Sequence, residues 1–237
     1  MELEGYKIFR ELHMIKTEFY ITHENYKQLV KEINNFERDI KAFDGRRSAN
    51  YGFRIKRFFH NYCLSARALV GYTYRYRKHF GNSNFDDGCN KRIDKMMENI
   101  DVQLLQEIWD FIMHREGANT VVRQLSSWSS SGEKSYQKDV WIKRSQLLND
   151  EKINPVVKEH LKNSNDDINI KKLVTTYHSE IISFNKWFFE ESLKTNKTAI
   201  RELGNFERKH FPKSSLNTEL RKLRSFPEIN KEKNTIQ

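Results

Sequence analysis

Two stretches of the chain place arginine, histidine and aspartate at intervals that allow acid–base chemistry. The first is Arg54-Ile-Lys-Arg57-Phe-Phe-His60, followed by Asn61. The second is Trp109-Asp110-Phe-Ile-Met-His114-Arg115. Imidazole is the side chain whose ordinary pKa lies nearest neutrality, so His60 and His114 are the candidate proton carriers. On a helix turning about 100° per residue, Asp110 and His114 share a face, and a carboxylate there can fix the imidazole tautomer. Arg115 points to a different side. Arg54 and His60 fall about 120° apart on the same geometry. The plain alternative is that His60 packs beside Arg57 and Arg67, and that His114 helps to end a helix, where a cation is favourable.

The segment from Asn50 to Phe80 carries the densest positive charge. Its polar faces carry Arg54, Lys56, Arg57, Arg67, Arg75, Arg77 and Lys78, and in YTYRYRKHF positive charge alternates with Tyr72, Tyr74 and Tyr76. Arg57, Arg67, Arg75, Arg77 and Lys78 are the candidate nucleic-acid ligands. Cations interleaved with rings suit single-stranded nucleic acid, which is held by charge and stacking. A net charge of +10 and a pI of about 9.4 point the same way, toward RNA, another polyanion or an acidic protein. The competing reading is an apolar core stripe with a solvated basic face, because long cationic side chains cover apolar surface with their stems.

Several classes of chemistry find no support. No glycine-rich phosphate loop, HExxH or GxSxG sequence occurs. The eight histidines are scattered without an i, i+4 pair, so no metal or cofactor is expected. The carboxylate pairs Asp86-Asp87 and Asp166-Asp167 precede helical segments, where capping accounts for them. Cys63 and Cys89 make neither a disulfide framework nor a zinc site. The charged N-terminus has no apolar core of a signal peptide, and no stretch approaches the ~20 apolar residues of a membrane span. A cytoplasmic protein is the expectation.

The elements that must position these residues are mostly helices. Only 9 Gly and 3 Pro leave little material for the many tight turns of a β-sandwich or barrel. Residues 4–21 have helical spacing. Thr22 is read as the N-cap of a second helix, striped by Tyr26, Leu29, Val30, Ile33, Phe36, Ile40 and Phe43 and ended by Asp44-Gly45. A long helix follows to Phe80. Two shorter helices come next, with Asp101 as N-cap of the one through Leu104, Ile108 and Phe111. TVVRQLSSW and SYQKDVWI, separated by a Ser/Gly loop, read as a β-hairpin within 120–142. Pro155 opens a short helix, and Asp167 is read as N-cap of a long one striped by Ile170, Val174, Tyr177, Ile181, Phe184 and Phe188. A helix resumes near Thr198. The tail has room for one short helix before a frayed end. The predicted fold is mainly α: a multi-helix bundle of long antiparallel helices with a small appended β-hairpin. It is read as one domain, with N-terminal helices over residues 1–119, the hairpin over 120–142, C-terminal helices over 143–211 and a partly disordered tail over 212–237.

Taken with the RIKRFFH and WDFIMHR stretches, this layout resembles the HEPN superfamily of small helical proteins. Its members include ribonucleases of toxin–antitoxin and anti-phage systems as well as non-catalytic proteins. FFHNYCLSARALVGYTYRYRKHF also looks like a segment of bacterial proteins of that group. The hallmark is an Arg, then four to six residues, then a His, with a polar residue directly after the Arg. Arg54 and His60 meet the spacing, but Ile55 stands at the polar position. Asp110 and His114 supply the polar residue and the His, but Trp109 stands where the Arg belongs. The resemblance spans roughly residues 20–115. It implies a metal-independent endoribonuclease or an RNA-binding, regulatory or defence module. In the enzyme, a dimer would bring two sets of His60 or His114 together, acting on the 2′-hydroxyl and the leaving oxygen, with Arg54, Arg57 or Arg115 on the phosphate. A purely structural or protein-interaction role is the third class.

Overall fold

The computed structural model describes residues 3–44, 46–114, 120–128, 134–164, 166–211 and 218. Their order is α1 (Glu4–Arg38), α2 (Arg47–Phe80), α3 (Ser83–Met97), α4 (Ile100–His114), β1 (Thr120–Trp128), β2 (Lys134–Ile142), α5 (Arg144–Leu148), α6 (Pro155–Asn163), β3 (Ile168–Asn169), α7 (Ile170–Thr195) and α8 (Lys197–His210). The mainly helical bundle with a small hairpin is what the sequence led us to expect. The tail helix expected after residue 211 lies outside the described residues.

α1 is one helix where the sequence suggested two. No glycine or proline interrupts it between Gly5 and Gly45. Thr22 is not a cap. Its side chain is buried in mid-helix, and its hydroxyl donates to the Glu18 carbonyl at 2.9 Å, one turn back. The helix also stops earlier than expected, at Arg38. Asp39 takes an extended backbone there, and its Oδ1 accepts the Lys41 N–H at 2.9 Å, drawing the chain into a turn. Ile40, counted in the apolar stripe, is consequently 93% exposed. The Tyr51 hydroxyl donates to Asp39 Oδ2 at 3.0 Å, which ties this turn to the first turns of α2. The Lys41 N–H, and then the Tyr51 hydroxyl, hold Asp39 below the usual carboxylate range. Lys138 of β2 donates to the Asp39 carbonyl, so the hairpin is anchored at the same corner.

α1 and α2 pack antiparallel: Glu11 meets Arg75, and Glu32 meets Arg54. α1 contributes Ile8, Leu12, Ile15, Phe19, Leu29, Ile33 and Phe36, all buried, and α2 contributes Ile55, Phe59, Tyr62, Ala66, Leu69 and Tyr76. Each large apolar side chain buried this way stabilises by about 1.5–3 kcal/mol. α7 crosses both through Tyr177, Ile181 and Phe188. α8 lies against the start of α1, where Gly5 is needed. A Cβ on Gly5 would fall 2.3 Å from the Ala199 carbonyl oxygen.

Two helix starts also differ from expectation. α4 begins one residue before Asp101, and the Asn99 side chain accepts the Asp101 N–H at 3.0 Å. α7 is capped by Asn169, which accepts the Lys172 N–H at 2.9 Å. Asp167 accepts the Arg144 N–H instead and pairs with Arg123. The hairpin strands pair from Thr120 with Ile142 to Trp128 with Lys134. The two-residue β3 joins β2 through Trp141–Asn169 and Ile142–Ile168, making a three-stranded antiparallel sheet that the sequence did not indicate.

The core contains a polar seam between α1, α2 and α7. His23 Nδ1 and His178 Nε2 share a hydrogen bond of 2.9 Å. Tyr26 stacks on His178 with ring centroids 4.0 Å apart, and Tyr62 meets it edge-on. His178 Nδ1 and the Tyr62 hydroxyl are buried without a hydrogen-bond partner among the described residues. Burial, and then the neighbouring His23, push the His178 pKa down to about 3. The unfolded chain therefore binds a proton near pH 6.5 that the folded chain refuses. Stability is complete above that pH and falls as pH drops from about 6.5 toward 3, by at most about 1.4 kcal/mol per unit. Urea unfolding at pH 7, 5.5 and 4.5 should show this decline, and His178→Phe should flatten it. An equal decline in the variant would assign the acid sensitivity to other groups.

Candidate nucleic-acid interface

α2 contains Arg47, Arg54, Lys56, Arg57, Arg67, Arg75, Arg77 and Lys78 and not one aspartate or glutamate. Where its cations meet the bundle, other elements supply the carboxylates. Arg54 pairs with Glu32 of α1 at 2.8 Å, and Arg75 holds Glu11 of α1 through Nε and Nη2 at 2.9 and 2.6 Å. Arg77 reaches Asp86 of α3 at 3.3 Å and the Asn90 side chain at 2.7 Å. Arg47 lies 3.6 Å from Asp39. Arg67 pairs with Asp110 of α4 at 2.5 Å, both side chains being 46% exposed.

The face of α2 turned away from the core is different. Phe53, Lys56, Arg57, His60, Leu64, Arg67, Gly71, Tyr74 and Lys78 are all exposed. By helical rotation they fall within about 100° of one another. At 1.5 Å per residue the stripe runs about 37 Å. Lys56, His60 and Lys78 hold no ion pair or hydrogen bond among the described residues, and Arg57 lies over the Phe58 ring at 4.8 Å. Phe53 and Tyr74 are 69% and 66% exposed. The N-terminal end of the stripe opens into a depression of about 340 Å³ formed by Gly52, Phe53 and Lys56 with Thr120 and Val122 of β1.

The candidate catalytic residues do not form one set. Arg54 is turned toward α1 and held by Glu32, while His60 faces outward. Asp110 is engaged by Arg67. α4 runs antiparallel to α2: Val102 and Gln106 lie near Thr73 and Val70, and Asp110 lies near Arg67. The last turn of α4 is thus directed toward the half of α2 that carries His60. The His114 side chain and Arg115 lie outside the described residues. Of the five candidate nucleic-acid ligands, Arg57 and Lys78 hold no ion pair among the described residues, Arg67 is exposed but paired, and Arg75 and Arg77 are engaged within the bundle.

Sequence reading missed Phe53 and counted Lys56 among the cations of this helix without assigning it to the interface, because helical rotation places both on the stripe only once the buried face of α2 is known. It also missed a concavity of about 980 Å³ between α4, α6, α7 and the sheet. That groove gathers Glu37, Asp101, Asp139, Asp166 and Asp167. Its lysines are met by carboxylates, Lys171 by Glu37 at 2.6 Å and Lys172 by Asp101 at 3.9 Å. Such a lining repels a polyanion. Among the described residues no group of three or more His, Cys, Asp or Glu side chains is placed to hold a metal, and no helix is long and apolar enough to cross a membrane.

Comparison with family models, curated proteins and solved structures gives no match. The functional reading therefore rests on the arrangement of side chains. The exposed Arg67–Asp110 pair should contribute little to stability, as solvent-facing pairs do. A double-mutant cycle with Arg67→Ala and Asp110→Ala, read by urea unfolding, should give a coupling of less than about 1 kcal/mol. A coupling above about 2 kcal/mol would mean the pair clamps α2 to α4.

Proposed function

We propose that this chain is a non-catalytic helical module that binds single-stranded RNA along the outward face of α2. The observation that carries this reading is the outward stripe of α2, on which Lys56, Arg57, His60 and Lys78 hold no ion pair or hydrogen bond among the described residues and lie beside the exposed rings of Phe53 and Tyr74. Phosphates take the cations, and bases stack on the rings. The depression beside Phe53 gives a terminal base room to leave the strand. The resemblance to the HEPN superfamily supports RNA as the polyanion. An RNA-regulatory or defence role in the cytoplasm follows from the same reading.

Support for acid–base cleavage is weaker at this face. Arg54 is held on another side of α2 from His60, and Asp110 is occupied by Arg67. A ribonuclease remains the outcome to test against. RNA cleavage in EDTA that disappears in His60→Ala and His114→Ala would replace the binding reading with that one.

Fluorescence anisotropy with a labelled single-stranded RNA should show affinity falling steeply between 50 and 200 mM salt. The variant Lys56→Ala/Arg57→Ala/Lys78→Ala should lower the slope of log K against log salt by about 2, at about 0.7 per phosphate contact. Phe53→Ala and Tyr74→Ala should each weaken binding by about 5- to 100-fold with little change in salt slope. Asp110→Ala, which releases Arg67 onto the stripe, should tighten binding. A flat salt response, or full affinity in the triple variant, would exclude the α2 face as an RNA site and favour a protein partner.

A further inference from the structure

A second site, remote in chemistry from the basic stripe, lies where α2, α3, α4 and α7 meet. It is a cavity of about 110 Å³ whose walls are almost wholly apolar. Tyr177 and Phe184 supply ring surface, and Met96 and Met97 supply flexible thioethers. Val70, 49% exposed, and Ile93, 36% exposed, stand at its edge, so the cavity communicates with solvent. The volume is about three-quarters of the roughly 150 Å³ known to admit benzene in another helical protein.

Thr73, Gln106 and Asn185 bring polar groups to the wall, and Asn185 is the most deeply buried of them. Asn185 of α7 lines the cavity and is only 2% exposed. Its amide nitrogen donates to the Ile181 carbonyl at 2.9 Å, one turn back, but its Oδ1 is buried with no hydrogen-bond partner among the described residues. A buried acceptor left unmatched costs about 1–3 kcal/mol, and a leucine or methionine at this position would avoid that cost. The other polar side chains nearby do not relieve it. The Thr73 hydroxyl donates to the Val70 carbonyl at 2.8 Å, and the Gln106 amide makes no hydrogen bond among the described residues. A ligand that satisfies Oδ1 must therefore bring a donor, and the remainder of its surface must be apolar. Rings from α7 and sulfur from α3 in one cavity favour a flat aromatic body over a branched aliphatic one.

We propose that this cavity binds a small, single-ring aromatic molecule carrying one hydrogen-bond donor, of the phenol type, with Asn185 Oδ1 accepting the donor. The site stands independently of the RNA reading, since Val70 and Asn185 lie off the basic stripe.

The test uses the full chain labelled at methionine methyl groups with carbon-13 and titrated with phenol or benzene. Phenol should shift the Met96 and Met97 signals saturably and leave Met14 on α1 unmoved. Benzene should bind about tenfold more weakly, the worth of one hydrogen bond to a buried acceptor. Asn185→Leu should abolish or reverse that preference while still admitting benzene. Val70→Trp, a change at a half-exposed rim position, should close the mouth and remove the response to both. The proposal is overturned if phenol produces no saturable shift at Met96 and Met97. It is equally overturned if phenol and benzene bind alike in the unmodified chain, which would leave a water on Asn185, or if Val70→Trp still responds.

Discussion

Burial of one apolar face of α2 is the constraint on which the rest depends, and any carboxylate that pairs with a cation of this helix has to come from outside it. Thirty-four residues with eight lysines and arginines and no carboxylate cannot form their own i, i+4 ion pairs. α1 supplies Glu11 and Glu32, the turn after it Asp39, α3 Asp86 and α4 Asp110. Partly exposed pairs of this kind are each worth roughly 0–1 kcal/mol, so they are not the source of stability. That comes from the apolar stripe of Ile55, Phe59, Tyr62, Ala66, Leu69 and Tyr76 buried against α1 and α7. Burial of that stripe sets the rotation of α2, and with it which cations meet a neighbouring carboxylate and which face outward.

The functional reading is a consequence of that division. Arginines that serve the bundle are poor ligands for a phosphate, because binding would have to displace a carboxylate first. Cations on the solvent side incur no such penalty and keep their full attraction for a polyanion. Composition alone cannot separate the two groups. In YTYRYRKHF, Arg75 and Arg77 belong to the bundle, whereas Tyr74 and Lys78 belong to the outward face.

Long-period features were legible in the sequence, and local competitions were not. The stripe from Ile55 to Tyr76 and the hairpin within 120–142 follow from periodicity. Thr22 has the composition of a cap but serves as an interior residue bonded to Glu18, because nothing after it breaks the helix. Asp39 looks like a surface residue of a continuing helix, yet its side chain captures the Lys41 N–H and ends α1. For the candidate site, spacing alone showed that Arg54 and His60 sit apart on α2. It could not show that Glu32 holds one or that Arg67 occupies Asp110, since those contacts join residues 22 and 43 positions apart. The pairing of His23 with His178, 155 positions apart, was equally out of reach.

If single-stranded RNA lies along the outward face of α2, lysine footprinting registers it there. The chain is treated with an acetylating reagent with and without a single-stranded RNA, and modification is read at each lysine by mass spectrometry. Protection should concentrate at Lys56 and Lys78, while Lys171 and Lys172 in the acidic groove and Lys194 on α7 react as before. Protection at Lys171 and Lys172 with Lys56 and Lys78 unchanged would contradict the account.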